Sequence, residues 1–185
     1  MRVVANGIEH DVHMEGPEDG RPVLLIHGLG WDRSLWQGQI ALLVGKGYRV
    51  VAPDLRGMGA TDKPDMAYSI GLYAEDMLAL MAALSIPRFA VAGFSLGGIV
   101  AAAMIGKAEE RMTAAVIACC GVHATPAGEA GTEAMLARAA SLGPLAFARE
   151  QAAAIWHEDY AAANPEAVER FVQWRAGMDQ AALTR

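Results

Sequence analysis

The chain of 185 residues is 54% hydrophobic and 19% charged, with a formal net charge of −6. Such a length and apolar content build one folded domain with a sizeable core and exclude a disordered chain. No basic face or Lys/Arg cluster runs through it, so nucleic acid is excluded as a partner, and the acidity speaks for solubility without naming a substrate.

The opening residues, 1–7, lack the long apolar stretch of a secretory signal, which points to a cytoplasmic protein. Apolar residues at 3–4 and 8–14 flank Asn6-Gly7, a pair that favours a two-residue hairpin. Two antiparallel strands are therefore expected, with His10 and His13 facing water. Residues 22–26 are a continuous apolar run, a buried strand, leading into the glycine-rich loop His27-Gly28-Leu29-Gly30. Ser34-Leu35-Trp36-Gln37 fits a capping box for a helix that Gly45 and Gly47 stop.

Residues 48–52 form the next strand, closed by Pro53 and followed by a loop from Asp54 to Pro64. Between 70 and 84, Tyr73, Met77, Leu80, Met81 and Leu84 recur at helical spacing, and Pro87 ends that helix. Residues 89–106 carry no charge, but their glycine-rich middle is too irregular for a membrane span. A buried strand over 89–92 turning into a buried helix that lasts to about Lys107 fits better. Residues 113–119 give one more apolar strand. The only cysteines, adjacent Cys119 and Cys120, cannot staple distant segments and have no metal-type spacing. They read as two buried thiols at the end of a core strand, in a reducing compartment.

Strand and helix alternate from 22 to 120, which implies parallel strands joined by right-handed crossovers. After Gly121 the pattern is helical only and rich in Ala, with Asn164-Pro165-Glu166 as a clean helix start. The expected organisation is an α/β core over 1–122 and a helical cap region over 123–185.

The chemistry concentrates at Gly93-Phe94-Ser95-Leu96-Gly97, a G-x-S-x-G pattern between a buried strand and an apolar helix. In that context the turn is so tight that side chains two residues either side of the serine would strike the backbone, hence the two glycines. Ser95 is the expected nucleophile, held in a strained conformation at a helix N-terminus. Acyl transfer makes an oxyanion that needs N–H donors already aimed at it. The amide of Leu96, just after the serine, and that of Leu29, in the loop after the earlier strand, are the expected donors. Asp54, at a strand end, reads as structural beside the Arg56-Gly57 turn.

His27-Gly28-Leu29-Gly30, the run Asp54-Leu55-Arg56-Gly57-Met58-Gly59-Ala60-Thr61 and Gly93-Phe94-Ser95-Leu96-Gly97-Gly98 together resemble the α/β-hydrolase superfamily, within it the oxoadipate enol-lactonases and related serine esterases. Thr61 departs from the serine usual there, a small change because both hydroxyls bond locally. The resemblance implies an α/β-hydrolase fold, a mostly parallel sheet flanked by helices with a helical cap, and a serine hydrolase cleaving a carboxylic ester or lactone through an acyl-enzyme. The substrate would be a small molecule, with no metal, no organic cofactor and no membrane partner. Perhydrolysis without a cofactor and C–C bond hydrolysis use the same scaffold and stay open, as does a non-catalytic binding protein. Haloalkane dehalogenation is disfavoured, since it needs a carboxylate at position 95.

In that architecture the base follows the nucleophile and the acid in chain order. His27 precedes both, so it is expected to hold its loop by hydrogen bonds; His123 and His157 read as surface or packing residues. The triad's acid and histidine are therefore expected outside the 185 residues. So are further strands, because an apolar strand over 113–119 left at a sheet edge would invite aggregation. In the cap, Met135, Leu136, Leu142, Phe147 and Trp156 are candidate linings of an acyl pocket.

Overall fold

The computed structural model of the chain describes residues 1–121 and 125–179. The chain divides into two compact units, Met1–Val122 and His123–Thr184.

The first unit is built on a six-stranded sheet of order β1-β2-β4-β3-β5-β6. Strands β1 (Arg2–Ala5) and β2 (Ile8–Glu15) pair antiparallel, Ala5 facing Ile8. Both turn residues between them have positive φ, Asn6 at 47° and Gly7 at 77°. That conformation matches the twist of a hairpin and is why the Asn-Gly pair sits there. β2 also pairs antiparallel with β4 (Tyr48–Pro53). The remaining ladders, β4 with β3 (Arg21–Ile26), β3 with β5 (Phe89–Phe94) and β5 with β6 (Met112–Ala118), are all parallel.

Alternate side chains of β3 and β4 serve opposite faces. Val23, Leu25, Val50 and Ala52 join Ile40 of α1 (Gln37–Gly45), with Trp36 and Leu43 packed against them. Helices α2 (Ile70–Ala83) and α3 (Leu96–Ala108) pack on each other; α2 meets β1, while α3 lies against β3, β5 and β6. Tyr73, Met77, Leu80 and Met81, the stripe legible at helical spacing, are all buried. Ser69 caps α2, its hydroxyl accepting from the Leu72 N–H at 3.1 Å.

Three expectations are corrected here, and the exposed edge expected of the last strand is seen. The segment before α1 opens with a 3-10 turn over Arg33–Trp36 whose cap is Asp32, its carboxylate accepting from the Ser34 N–H at 2.8 Å; Ser34 does not cap the helix. A carboxylate is the stronger acceptor, and it lies two residues upstream. His10 does not face water: it is fully buried, because β2 is paired on both edges and its inward face follows the alternation Ile8, His10, Val12. His13, one step out of phase, is half exposed and sits 2.8 Å from Glu15. Cys119 is exposed and Cys120 half-buried. β6 is the outermost described strand on its side of the sheet and leaves residues 113–117 exposed.

The second unit is helical throughout its described residues: α4 (Pro126–Leu142), α5 (Pro144–Ile155), α6 (Glu158–Ala163) and α7 (Pro165–Ala176). Thr125 caps α4 by accepting from the Gly128 N–H at 3.1 Å. Three of the helices begin with proline, whose missing N–H costs nothing in a first turn. Phe147, Ala148 and Ala152 of α5 and Phe171 and Val172 of α7 are the buried apolar residues of this unit, and Trp156 meets Phe171 edge-on at 4.9 Å between ring centroids. Phe147, expected to line a pocket, is buried in this unit. Among the described residues no helix is long and apolar enough to cross a membrane.

Candidate active site

β5 ends at Phe94 and α3 begins at Leu96, so one residue, Ser95, makes the whole strand-to-helix turn. It does so at φ 53°, ψ −119°, a conformation that costs a non-glycine residue about 1–3 kcal/mol and persists only where the surroundings over-determine it. They do. The Ser95 N–H donates to the Ala118 carbonyl of β6 at 2.9 Å, and the Ser95 carbonyl accepts from the N–H groups of Gly98 (2.9 Å) and Ile99 (3.2 Å). The flanking glycines have a steric reason. A Cβ on Gly93 would be driven into the carbonyl of Gly97, and one on Gly97 would lie 2.6 Å from the His27 carbonyl oxygen and closer still to that of Ile26. The helix therefore starts hard against the end of β3.

That approach brings the loop after β3 to the serine. A Cβ on Gly28 would stand 3.3 Å from the Ser95 Cβ and 3.1 Å from the Phe94 ring. The loop turns back on itself, the Trp31 N–H donating to the Gly28 carbonyl at 3.2 Å. The N–H groups of Leu29 and Leu96 make no hydrogen bond to any described residue; that of Leu96 is one of the orphan donors of a helix N-terminus. Ser95, Leu29 and Leu96 are all half-buried, within reach of solvent. The Ser95 side chain makes no capping bond to its own helix.

His27 is fully buried beneath this loop. Its Nε2 accepts from the Leu55 N–H at 2.9 Å, which requires the proton on Nδ1, donated to the Gly28 carbonyl at 2.8 Å. Both nitrogens are consumed, and burial lowers its pKa, so it stays neutral. It ties the β3 loop to the β4 loop. Asp54 is equally occupied: its carboxylate accepts from the Arg33 N–H (2.8 Å), the Arg33 guanidinium (2.9 Å) and the Ala60 N–H (2.8 Å). The Thr61 hydroxyl donates to the Asp54 carbonyl at 2.7 Å and accepts from the Asp11 N–H at 2.9 Å, so threonine does here what a serine would. Of the other histidines, His157 caps α6 and His13 pairs with Glu15. No described histidine is hydrogen-bonded to Ser95, and His123 lies outside the described residues.

Sequence reading missed a buried ion pair beside the hairpin. Arg56 donates to Asp76 through Nε (2.7 Å) and Nη2 (2.6 Å), and Asn6 adds a third bond to the same carboxylate at 2.7 Å. His10 borders this cluster; neither ring nitrogen makes a well-aligned hydrogen bond to a described residue, although the backbone of Ala5 and Asp54 lies close enough to favour its charged form. Its pKa is lowered, by desolvation first, with Asp76 opposing and Arg56 assisting. The signal was in the pattern: Asp76 sits three residues after Tyr73 and four before Leu80, on the inward stripe of α2.

A mostly parallel sheet with helices against it and a serine turned out at the end of its third parallel strand define a class. Residues 21–142 match the family described as alpha/beta hydrolase fold, and the chain belongs to that family. Among curated relatives, the non-heme chloroperoxidase of Streptomyces lividans is 37% identical over 94 residues, 51% of this chain and 34% of that protein. Among solved structures, the enol-lactonase of Burkholderia xenovorans LB400 superposes with a TM-score of 0.84 over 99% of this chain and 70% of its own, at 24% identity. The meta-cleavage product hydrolase of Pseudomonas fluorescens IP01 does so with a TM-score of 0.82 over 100% of this chain and 66% of its own, at 26% identity. The chain spans 24–41% of the length of the curated relatives it matches.

Proposed function

We propose that this protein is a serine hydrolase cleaving a small carboxylic ester or lactone through an acyl-enzyme. The observation that carries the reading is the one-residue turn at Ser95, its hydroxyl uncommitted to the helix, facing the loop of Leu29, with the N–H groups of Leu29 in that loop and Leu96 at the start of α3 both unanswered among the described residues. The Ser95 oxygen attacks the substrate carbonyl, and the amides of Leu29 and Leu96 hold the oxyanion. The alcohol departs with the proton and the acyl group stays on Ser95 until water releases it. A serine hydroxyl needs a base, and the base an orienting acid; neither is among the described neighbours of Ser95, so both come from elsewhere in the protein. The enzyme would be cytoplasmic and need no metal or organic cofactor. Perhydrolysis is the second reading, favoured by the chloroperoxidase relative, and differs only in peroxide taking the place of water at the acyl-enzyme.

A fluorophosphonate probe tests the nucleophile. The expected result is one covalent adduct per chain, mapped to the peptide carrying Ser95 and absent in Ser95→Ala. A folded protein whose Ser95 stays unlabelled would mark a binding protein on this fold and end the proposal. Product analysis of the active protein with and without hydrogen peroxide separates hydrolysis from perhydrolysis.

A further inference from the structure

In the helical unit one cation stands apart. Arg138 pairs with Glu150 at 2.9 Å, Arg149 with Glu169 at 3.0 Å and Arg170 with Glu166 at 3.8 Å, all on the surface. Arg175 has no carboxylate among the described residues, although it is the buried one, with 6% of its surface accessible. It falls on the inward face of α7 with Phe171 and Val172, where the helical period calls for an apolar residue. Its Nε donates to the Gln151 Oε1 at 2.6 Å, and one Nη1 hydrogen points to the Met178 sulfur at 3.3 Å. The Phe147 ring lies below, 5.9 Å from Cζ to centroid. Among the described residues Nη2 has no hydrogen-bond partner, and no Arg175 nitrogen is both sealed from solvent and unbonded, so the unanswered hydrogens reach the surface.

A guanidinium withdrawn from water without a counter-charge is costly, and the desolvation here lowers the pKa of Arg175 with no neighbouring charge acting on it. The missing partner has a definite chemistry. Nη1 and Nη2 present a planar fork that matches a carboxylate, while Gln151 and Phe147 fix the plane of that fork in advance.

We propose that Arg175 is the anion site of the helical unit, taking a small-molecule carboxylate through its unanswered Nη hydrogens. The assignment is independent of the reading of Ser95. Two sources share this chemistry, a free organic acid and an ester substrate that carries its own carboxylate.

The test needs no activity. Acetate, with acetamide as its neutral match, is titrated into the protein while arginine modification by phenylglyoxal is mapped by mass spectrometry. Acetate should protect Arg175 saturably and leave Arg138, Arg149 and Arg170 unprotected; acetamide should protect none. Arg175→Gln, checked for folding by circular dichroism, should weaken acetate binding roughly 10- to 100-fold, the range for losing a charge-assisted hydrogen bond. If that variant does not fold, protection of the unaltered protein decides alone. Equal protection by acetate and acetamide, or acetate binding that survives Arg175→Gln, overturns the site. Monomethyl succinate displacing acetate assigns the site to an acid-bearing ester; propionate displacing it where the half-ester does not assigns it to a free acid.

Discussion

Replacing Gly97 by alanine is the sharpest perturbation of the strand-to-helix turn, and α3 carries its own control. The new Cβ would stand 2.6 Å from the His27 carbonyl oxygen, 2.7 Å from the Ile26 carbonyl carbon and closer still to the Ile26 oxygen. All three are main-chain atoms at the end of a buried strand, with no rotamer to give way. The overpacking cost should therefore reach the top of its usual range, about 3 kcal/mol. Gly106, nine residues further along α3, has nothing within 4 Å of its Cβ position. There the same substitution only removes unfolded-chain freedom, and a gain of about 1 kcal/mol is expected. The midpoint of chemical denaturation, followed by fluorescence with Trp156 and Trp174 replaced by Phe so that Trp31 and Trp36 report the first unit, should thus move in opposite directions for the two variants. Gly97→Ala should also abolish fluorophosphonate labelling, while Gly106→Ala leaves it intact. A Gly97→Ala protein within about 0.5 kcal/mol of the parent, the range of neutral surface changes, would refute the close approach of α3 to β3. The juxtaposition of Gly28 and Ser95 that depends on it would fall too.

Two further outcomes follow from the buried charges. Asp76→Ala leaves the buried Arg56 without its carboxylate and the exposed Asn6 without that acceptor, and should cost about 3–5 kcal/mol by denaturant titration. A loss under about 1 kcal/mol would mean the pair is solvated. His10 and His27 are both held neutral by burial, with folded pKa values below the unfolded value near 6.5. Stability is therefore complete above about pH 6.5 and falls as acid is added below it, because the unfolded chain takes up protons that the folded one refuses. Each histidine contributes a slope of up to about 1.4 kcal/mol per pH unit. His10→Leu should remove its share of that slope. An acid slope unchanged by His10→Leu would contradict this.

The α/β-hydrolase fold was legible because its signals are local. Continuous apolar runs bounded by glycine and proline mark β3 and β5, Asn6-Gly7 marks the hairpin, and Gly93 and Gly97 announce a backbone approach that any Cβ would block. What escaped depends on neighbours far along the chain. The thiols after β6 read as buried from the apolar run before them, when Cys119 is exposed and Cys120 half-buried. Asp76 and Arg56 are twenty residues apart, and only the packing of α2 over the hairpin joins them. His10 was readable in principle, in phase with Ile8 and Val12, but composition pulled a histidine outward. Arg175 hid for the opposite reason, since a charge on an apolar stripe is invisible until the helix it faces is known.

The bond from the Ser95 amide to Ala118 ties the strand-to-helix turn to β6, the outermost described strand on its side. The left-handed conformation of Ser95 is thus anchored from β6, and fraying of that strand would loosen it. Proton exchange at that single amide would report such fraying, and whatever comes to lie along the outer side of β6 would tighten the turn without touching it.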